Sequence, residues 1–160
     1  MGSLHFPTPL EMWVSEKYKR MKMLKPEDIC EDKIAWIYNI FYFKKPIPSN
    51  SFENGKFKSI TIDSRIVPTL QREQFYHEWC HLLRHAGNQN MMPAAFRELQ
   101  EYDARNFTRY AAIPFHMLDK YDLRDPFIIE HWQEDFKVTE ELCAERLEKM
   151  KSKFYFKMGG

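Results

Sequence analysis

Phe75-Tyr76-His77-Glu78-Trp79-Cys80-His81 carries two histidines four positions apart, with a glutamate directly after the first. The propensities of this stretch are helical. Residues four apart on a helix share one face about 6 Å apart along its axis, so both imidazoles can reach one Zn²⁺ at about 2.0–2.1 Å. Glu78, adjacent to His77, is then directed at the attacking water and not at the metal, which is the pattern of a metal-assisted hydrolase. Phe75, Trp79, Leu82 and Leu83 make the helix largely buried, which separates it from a charged surface helix bearing two solvated histidines.

A catalytic zinc takes three protein ligands and keeps a fourth position open, so a third donor is expected from a neighbouring helix. Glu101 is the best candidate. It is far enough downstream for a turn around Gly87 to Met92 and an antiparallel return on a helix beginning near Pro93. Ala104, Thr108, Ala111 and Ala112 recur on its face, and such small side chains allow close approach to the histidine helix. Glu98, one turn earlier, is the alternative donor. His85 extends the histidine stripe, but an open site has no need of a fourth protein ligand. Cys80 is expected to point away from the ligand face as a small buried residue. His116, His131, Tyr102, Arg109 and Arg146 are weaker candidates for oxyanion stabilisation, and none is assigned a catalytic role.

Moving outward, Thr8-Pro9-Leu10-Glu11 has the form of a capping box and opens a first helix. Pro26-Glu27-Asp28 is expected to open a second. From Trp36 to Phe43 the residues turn aromatic and β-branched and stop at Lys44-Lys45-Pro46, which reads as a strand. Asn54-Gly55 favours a two-residue hairpin, and Ile60 and Ile62 alternate with polar neighbours on a strand expected to bury one face. Beyond Pro68 the pattern predicts helices over about 69–86, 93–112, 126–136 and 140–154. Asp125-Pro126 and Thr139 with Glu140 and Glu141 supply caps, and Val138 is placed to staple onto Cys143. Helices, then a small antiparallel sheet, then helices make an α+β fold.

The 160 residues fit one domain. Lys and Arg total 24 against 23 for Asp and Glu, so no general attraction to nucleic acid or anionic membrane is expected. Cys30, Cys80 and Cys143 are widely spaced and odd in number, which fits reduced thiols in a cytoplasm. No secretory segment opens the chain, and the apolar run Trp36–Phe43 is too short to span a bilayer.

The run Phe75 to His81, followed by Glu101-Tyr102-Asp103-Ala104-Arg105-Asn106-Phe107 and closing on Ala111-Ala112-Ile113-Pro114, resembles the ImmA/IrrE family of metallopeptidases. There a helical HExxH precedes a glutamate ligand in an E-x-x-A-N-x-F-A type segment that ends in a Leu-Met-Pro-like stop. The resemblance implies metal ligands at His77, His81 and Glu101, a general base at Glu78 and one catalytic Zn²⁺. It also implies a zincin-like core, which makes the chain a single metallopeptidase domain over 1–160. Within it an N-terminal helix is expected at about 8–24, the catalytic core at about 25–118 and a C-terminal helix pair packed on that core at about 125–156. Cys80 replaces a common glycine, Arg105 a common asparagine, and Ala112-Ile113-Pro114 is a reduced form of the stop.

The implied activity is cytoplasmic, site-specific cleavage of a helix-turn-helix transcriptional repressor in mobile-element or stress regulation, with docking expected along the hairpin strand near Ser59 to Asp63. One alternative is a non-catalytic, metal-containing anti-repressor. Another is a DNA-binding regulator using the last two helices, against which stand Glu140, Glu141, Glu145 and Glu148 on the helix that would face phosphate.

Overall fold

The structure, a computed structural model, describes residues 5–85 and 93–159, with side chains as far as residue 152. In chain order it comprises α1 (Pro9–Arg20), α2 (Glu31–Ile37), β1 (Phe41–Lys45), β2 (Asn50–Asn54), β3 (Phe57–Asp63), α3 (Pro68–Arg84), α4 (Ala94–Ala112), α5 (Ile128–Phe136) and α6 (Glu140–Gly159). Short 3₁₀ segments lie at Pro26–Asp28 and Phe115–Lys120. The α+β class holds. The elements gather into two compact units, one from Cys30 to Thr108 and the other made of residues up to Ile29 and from Arg109 onward. The turn expected around Gly87 to Met92 lies outside the described residues.

In the Cys30–Thr108 unit the strands form one sheet in the order β1-β3-β2. The sheet is mixed, which corrects the antiparallel expectation: β2 pairs antiparallel to β3, whereas β1 pairs parallel to it. Pro46 and Pro48 follow β1 at once and keep its continuation from folding back as a hairpin, so β1 pairs on the far edge of β3 instead. The β2–β3 hairpin is as expected, but its two turn residues are Gly55 and Lys56, with Asn54 paired to Phe57. Only Gly55 has positive φ, at 60°, the pattern of a type II′ turn. Being central, β3 buries both faces: Ile60 and Ile62 on one, Ser59, Thr61 and Asp63 on the other.

Two further expectations change. Trp36 and Ile37 belong to α2 and not to a strand, which begins only at Phe41. Glu31 and Asp32 favour the helix start, and Asn39 at φ 58° ends it, with Ile40 N–H bonded to Ala35 O at 2.8 Å and Asn39 N–H to Trp36 O at 3.2 Å. That is a Schellman stop, whose geometry overrides the local β preference of the side chains. Pro26-Glu27-Asp28 makes a single 3₁₀ turn and no α-helix, because the Asp28 carboxylate accepts the N–H groups of Leu24 and Lys25, both at 3.0 Å.

The inner sheet face packs on α3. Tyr42 and Phe75 rings lie 5.0 Å apart, Tyr38 and Trp79 5.5 Å, and Trp79 and Phe107 5.4 Å, so one aromatic series joins sheet, α3 and α4. Truncating a side chain as buried as Trp79 costs about 3–5 kcal/mol. Arg72 of α3 also pairs with Glu31 of α2 at 2.9 Å. This packing fixes the face of α3 that carries His77 and His81.

The other unit collects α1, the end of α4, α5 and α6. Thr8 and Glu11 form the expected capping box. The Tyr18 hydroxyl donates to Ala111 O at 2.7 Å, and Arg146 Nε donates to Ile113 O at 3.1 Å. The α5–α6 pair buries Trp132, Phe136, Val138, Leu142, Cys143, Leu147 and Met150. Thr139 caps α6 by accepting Leu142 N–H at 3.2 Å. Glu140, Glu141 and Glu148 face solvent. Among the described residues no helix is long and apolar enough to cross a membrane.

Candidate metal centre

His77 and His81 lie on α3, one turn apart, and their rings project from the face opposite Trp79. Their Nε2 atoms are 3.2 Å from each other. Glu101, on α4, turns its carboxylate to both: Oε2 is 3.3 Å from His77 Nε2 and Oε1 is 3.2 Å from His81 Nε2. Two imidazole nitrogens 3.2 Å apart, each with one carboxylate oxygen at 3.2–3.3 Å, suit a tetrahedral zinc, because ligand atoms about 2.0–2.1 Å from the ion stand about 3.3–3.4 Å from one another. His81 is largely buried, His77 is half-buried and Glu101 is exposed, so one side of the group stays open to a reactant. Glu98, the alternative donor, is exposed and outside the group.

Burial holds both imidazoles below their ordinary range, against the opposing pull of nearby Glu101. The shift favours the neutral form, in which histidine ligates metal. Arg105, one turn beyond Glu101 on α4, adds to this at His77 by charge repulsion. Glu78 is shifted upward, chiefly by burial and also by the like charge of Glu101, while a hydrogen bond from Ser51 and the neighbouring His77 pull the other way. Ser51, the second residue of β2, and Arg105 are residues near the centre that motif spacing does not single out. For Arg105 the signal available was its placement four positions after Glu101; for Ser51 there was none.

A second cluster lies directly behind the first. His85 Nδ1 is 3.1 Å from His81 Nδ1, and His85 Nε2 is 2.8 Å from Asp103 Oδ2. Arg84 grips the same carboxylate through Nε at 2.8 Å and Nη2 at 3.0 Å. Burial pushes the Asp103 carboxyl up, but the hydrogen bonds from Arg84 and His85 outweigh it and hold the group below the usual carboxylate range. Cys80 is buried as expected. Its thiol, raised by burial and by Asp103, lies 3.9 Å from that carboxylate.

The weaker candidates are held by other partners. Arg109 pairs with Glu145 and Arg146 with Glu11 at 2.7 Å, His116 donates to Met23 O at 2.9 Å, and exposed His131 faces Asp125 at 3.3 Å. Tyr102 is exposed on α4.

The sequence model of the peptidase family described as the IrrE N-terminal-like domain matches residues 37–148. The chain is 33% identical to the uncharacterized protein YqaB of Bacillus subtilis (strain 168) over 142 residues, covering 86% of this chain and 81% of that protein. It is 31% identical to the phage-like element PBSX protein XkdA of the same organism over 147 residues, covering 87% of this chain and 71% of that protein. A Mycobacterium tuberculosis transcriptional regulator shares its fold with a TM-score of 0.61 at 12% identity, over 88% of this chain and 47% of the regulator; the chain spans about half the length of that protein. With the family model over most of its length and two relatives above 30% identity, the chain belongs to the IrrE N-terminal-like peptidase family, the ImmA/IrrE family that its motifs resemble.

Proposed function

We propose that the chain is a zinc-dependent endopeptidase that cuts a helix-turn-helix transcriptional repressor at one exposed segment. The observation that carries the reading is the convergence of His77 Nε2, His81 Nε2 and the Glu101 carboxylate: the nitrogens lie 3.2 Å apart, and each has one carboxylate oxygen, at 3.3 and 3.2 Å. A zinc ion held by these three residues would supply Lewis acidity toward a water molecule and a scissile carbonyl. Glu78 takes the proton from the attacking water and delivers it to the leaving amine. Burial and the Ser51 hydrogen bond keep its carboxylate in place for both transfers.

The scissile segment must be extended, since backbone tied up in a helix cannot present its carbonyl at attack distance. Ser59 to Asp63, the docking strand expected from sequence, is the central strand and is paired on both edges. The free edge of β2, which carries Ser51, is the better platform for an added strand. XkdA takes its name from a phage-like element and the structural relative is a transcriptional regulator, which favours a repressor as substrate and a cytoplasmic setting.

The test pairs zinc-loaded wild-type protein with Glu78→Gln, each incubated with casein and with helix-turn-helix repressors encoded beside the gene, and the products are mapped by mass. Single-site cleavage of one repressor by the wild type, casein untouched, and no cleavage by a zinc-replete Glu78→Gln protein is the expected outcome. Full activity in Glu78→Gln rejects the mechanism; rapid multi-site breakdown of casein rejects the substrate assignment. Repressor relief without any cleavage would favour a binding anti-repressor.

A further inference from the structure

The cluster behind His81 is wired in one direction. Asp103 as a carboxylate only accepts hydrogen bonds, so the ring nitrogen of His85 that lies 2.8 Å from it, Nε2, carries the proton. In the Nε2–H tautomer the Nδ1 of His85 is a hydrogen-bond acceptor. That nitrogen faces His81 Nδ1 at 3.1 Å, within hydrogen-bond distance, so it is placed to accept from an Nδ1–H of His81. With the proton on His81 Nδ1, the Nε2 lone pair is directed to the group shared with His77 and Glu101, as its role as a metal ligand requires.

Cys80, His85 and Asp103 are themselves close enough to suggest a second cation site. The arrangement speaks against it. Arg84 donates to both Asp103 oxygens, so the carboxylate is already neutralised by a cation, and His85 presents a proton and not a lone pair.

We infer that His85 and Asp103 are positioning residues for the metal centre: the series Arg84, Asp103, His85, His81 fixes the tautomer and ring orientation of His81 so that Nε2 is available as a ligand. The inference rests on His81 being a metal ligand, and it adds what prepares it for that role. Partners of this kind change metal affinity by about 10–100-fold when removed.

The experiment measures zinc affinity of chelator-stripped protein by competition with a chromophoric chelator, together with imidazole nitrogen NMR of the metal-free protein. In the wild type the His81 ring should be the Nδ1–H tautomer before any metal is added, and His85 the Nε2–H tautomer. His85→Leu should weaken zinc binding about 10–100-fold and release His81 into a mixture of tautomers, with the fold intact by circular dichroism. His85→Gln should retain affinity within a few-fold, because its carboxamide oxygen can still accept from His81 Nδ1. Unchanged zinc affinity in His85→Leu overturns the relay while leaving the centre standing. Absence of zinc binding in the wild type overturns the centre itself. Should His85→Leu fail to fold, the wild-type spectrum decides alone, and an Nε2–H tautomer on His81 refutes the inference.

Discussion

Ser51 is the residue by which Glu78 is tied to the sheet. It sits opposite Ile60 in the hairpin register and its hydroxyl bonds the Glu78 carboxylate from β2. A hydrogen bond to a charged group contributes about 1.5–3 kcal/mol, so Ser51→Ala should lower turnover by at least about tenfold and leave zinc affinity unchanged, whereas Ser51→Thr, which keeps the hydroxyl, should stay near wild type. Turnover beside chelator competition checks this, and a fall in zinc affinity with normal turnover would show that Ser51 supports the ligands and not the base. The pairing of His77 with His81 could be read from spacing, because helical periodicity fixes which side chains share a face, whereas spacing left Glu98 open beside Glu101 and the family motif favoured Glu101. Ser51 could not, since its place depends on a strand pairing formed far upstream in sequence. The Asp103 partnership with His85 also went unread: Asp103 is two positions from Glu101, and only the actual rotation of α4 assigns each carboxylate to its own histidine.

At the scale of elements, α1 and the helices beyond Pro68 were legible, and the stretch between α1 and β1 was not. Capping residues marked α1 and α6 closely because a cap is a local hydrogen bond, as in Thr8 with Glu11 and Thr139 with Leu142. The strand assigned to Trp36–Phe43 failed because side-chain composition does not report a left-handed stop at Asn39. The parallel β1 partner stayed hidden because non-local pairing leaves no signature in either strand. The stops themselves invite a prediction. Lys22 ends α1 at φ 64°, with Met23 N–H bonded to Tyr18 O at 2.9 Å, and Lys137 follows α5 at φ 57°. Both are exposed, and a residue bearing Cβ is strained there where glycine is not. Lys22→Gly and Lys137→Gly should each raise the unfolding free energy by about 0.5–1 kcal/mol, measured by urea denaturation. A loss of stability in either variant would mean that the lysine side chain contributes contacts that exceed the backbone strain.

Over the whole molecule, one unit is assembled from the two ends of the described chain, and its stability depends on a buried ionic group. The Glu11 carboxylate takes the Thr8 N–H at 3.0 Å, approaches His5 Nε2 at 2.9 Å and meets Arg146 Nη2 at 2.7 Å. Burial raises its pKa, but these partners outweigh burial and bring it down from 4.5 to about 2. The folded state thus binds the Glu11 proton less readily than the unfolded state. The stabilisation is complete above pH 4.5 and is lost as pH falls toward 2. A displacement of this size corresponds to about 3 kcal/mol at neutral pH. Glu11→Gln should therefore destabilise the protein by about 3 kcal/mol at pH 7 and by only about 1 kcal/mol at pH 3, because acid turns the wild-type carboxylate into a neutral group of nearly the same shape as the amide. Denaturant unfolding of both proteins across that pH range measures the convergence, with Glu16→Gln, on the exposed side of α1, as a control that should show no such narrowing. If the difference between wild type and Glu11→Gln stays constant from pH 7 to 3, the packing of the side chain and not its charge holds this unit together.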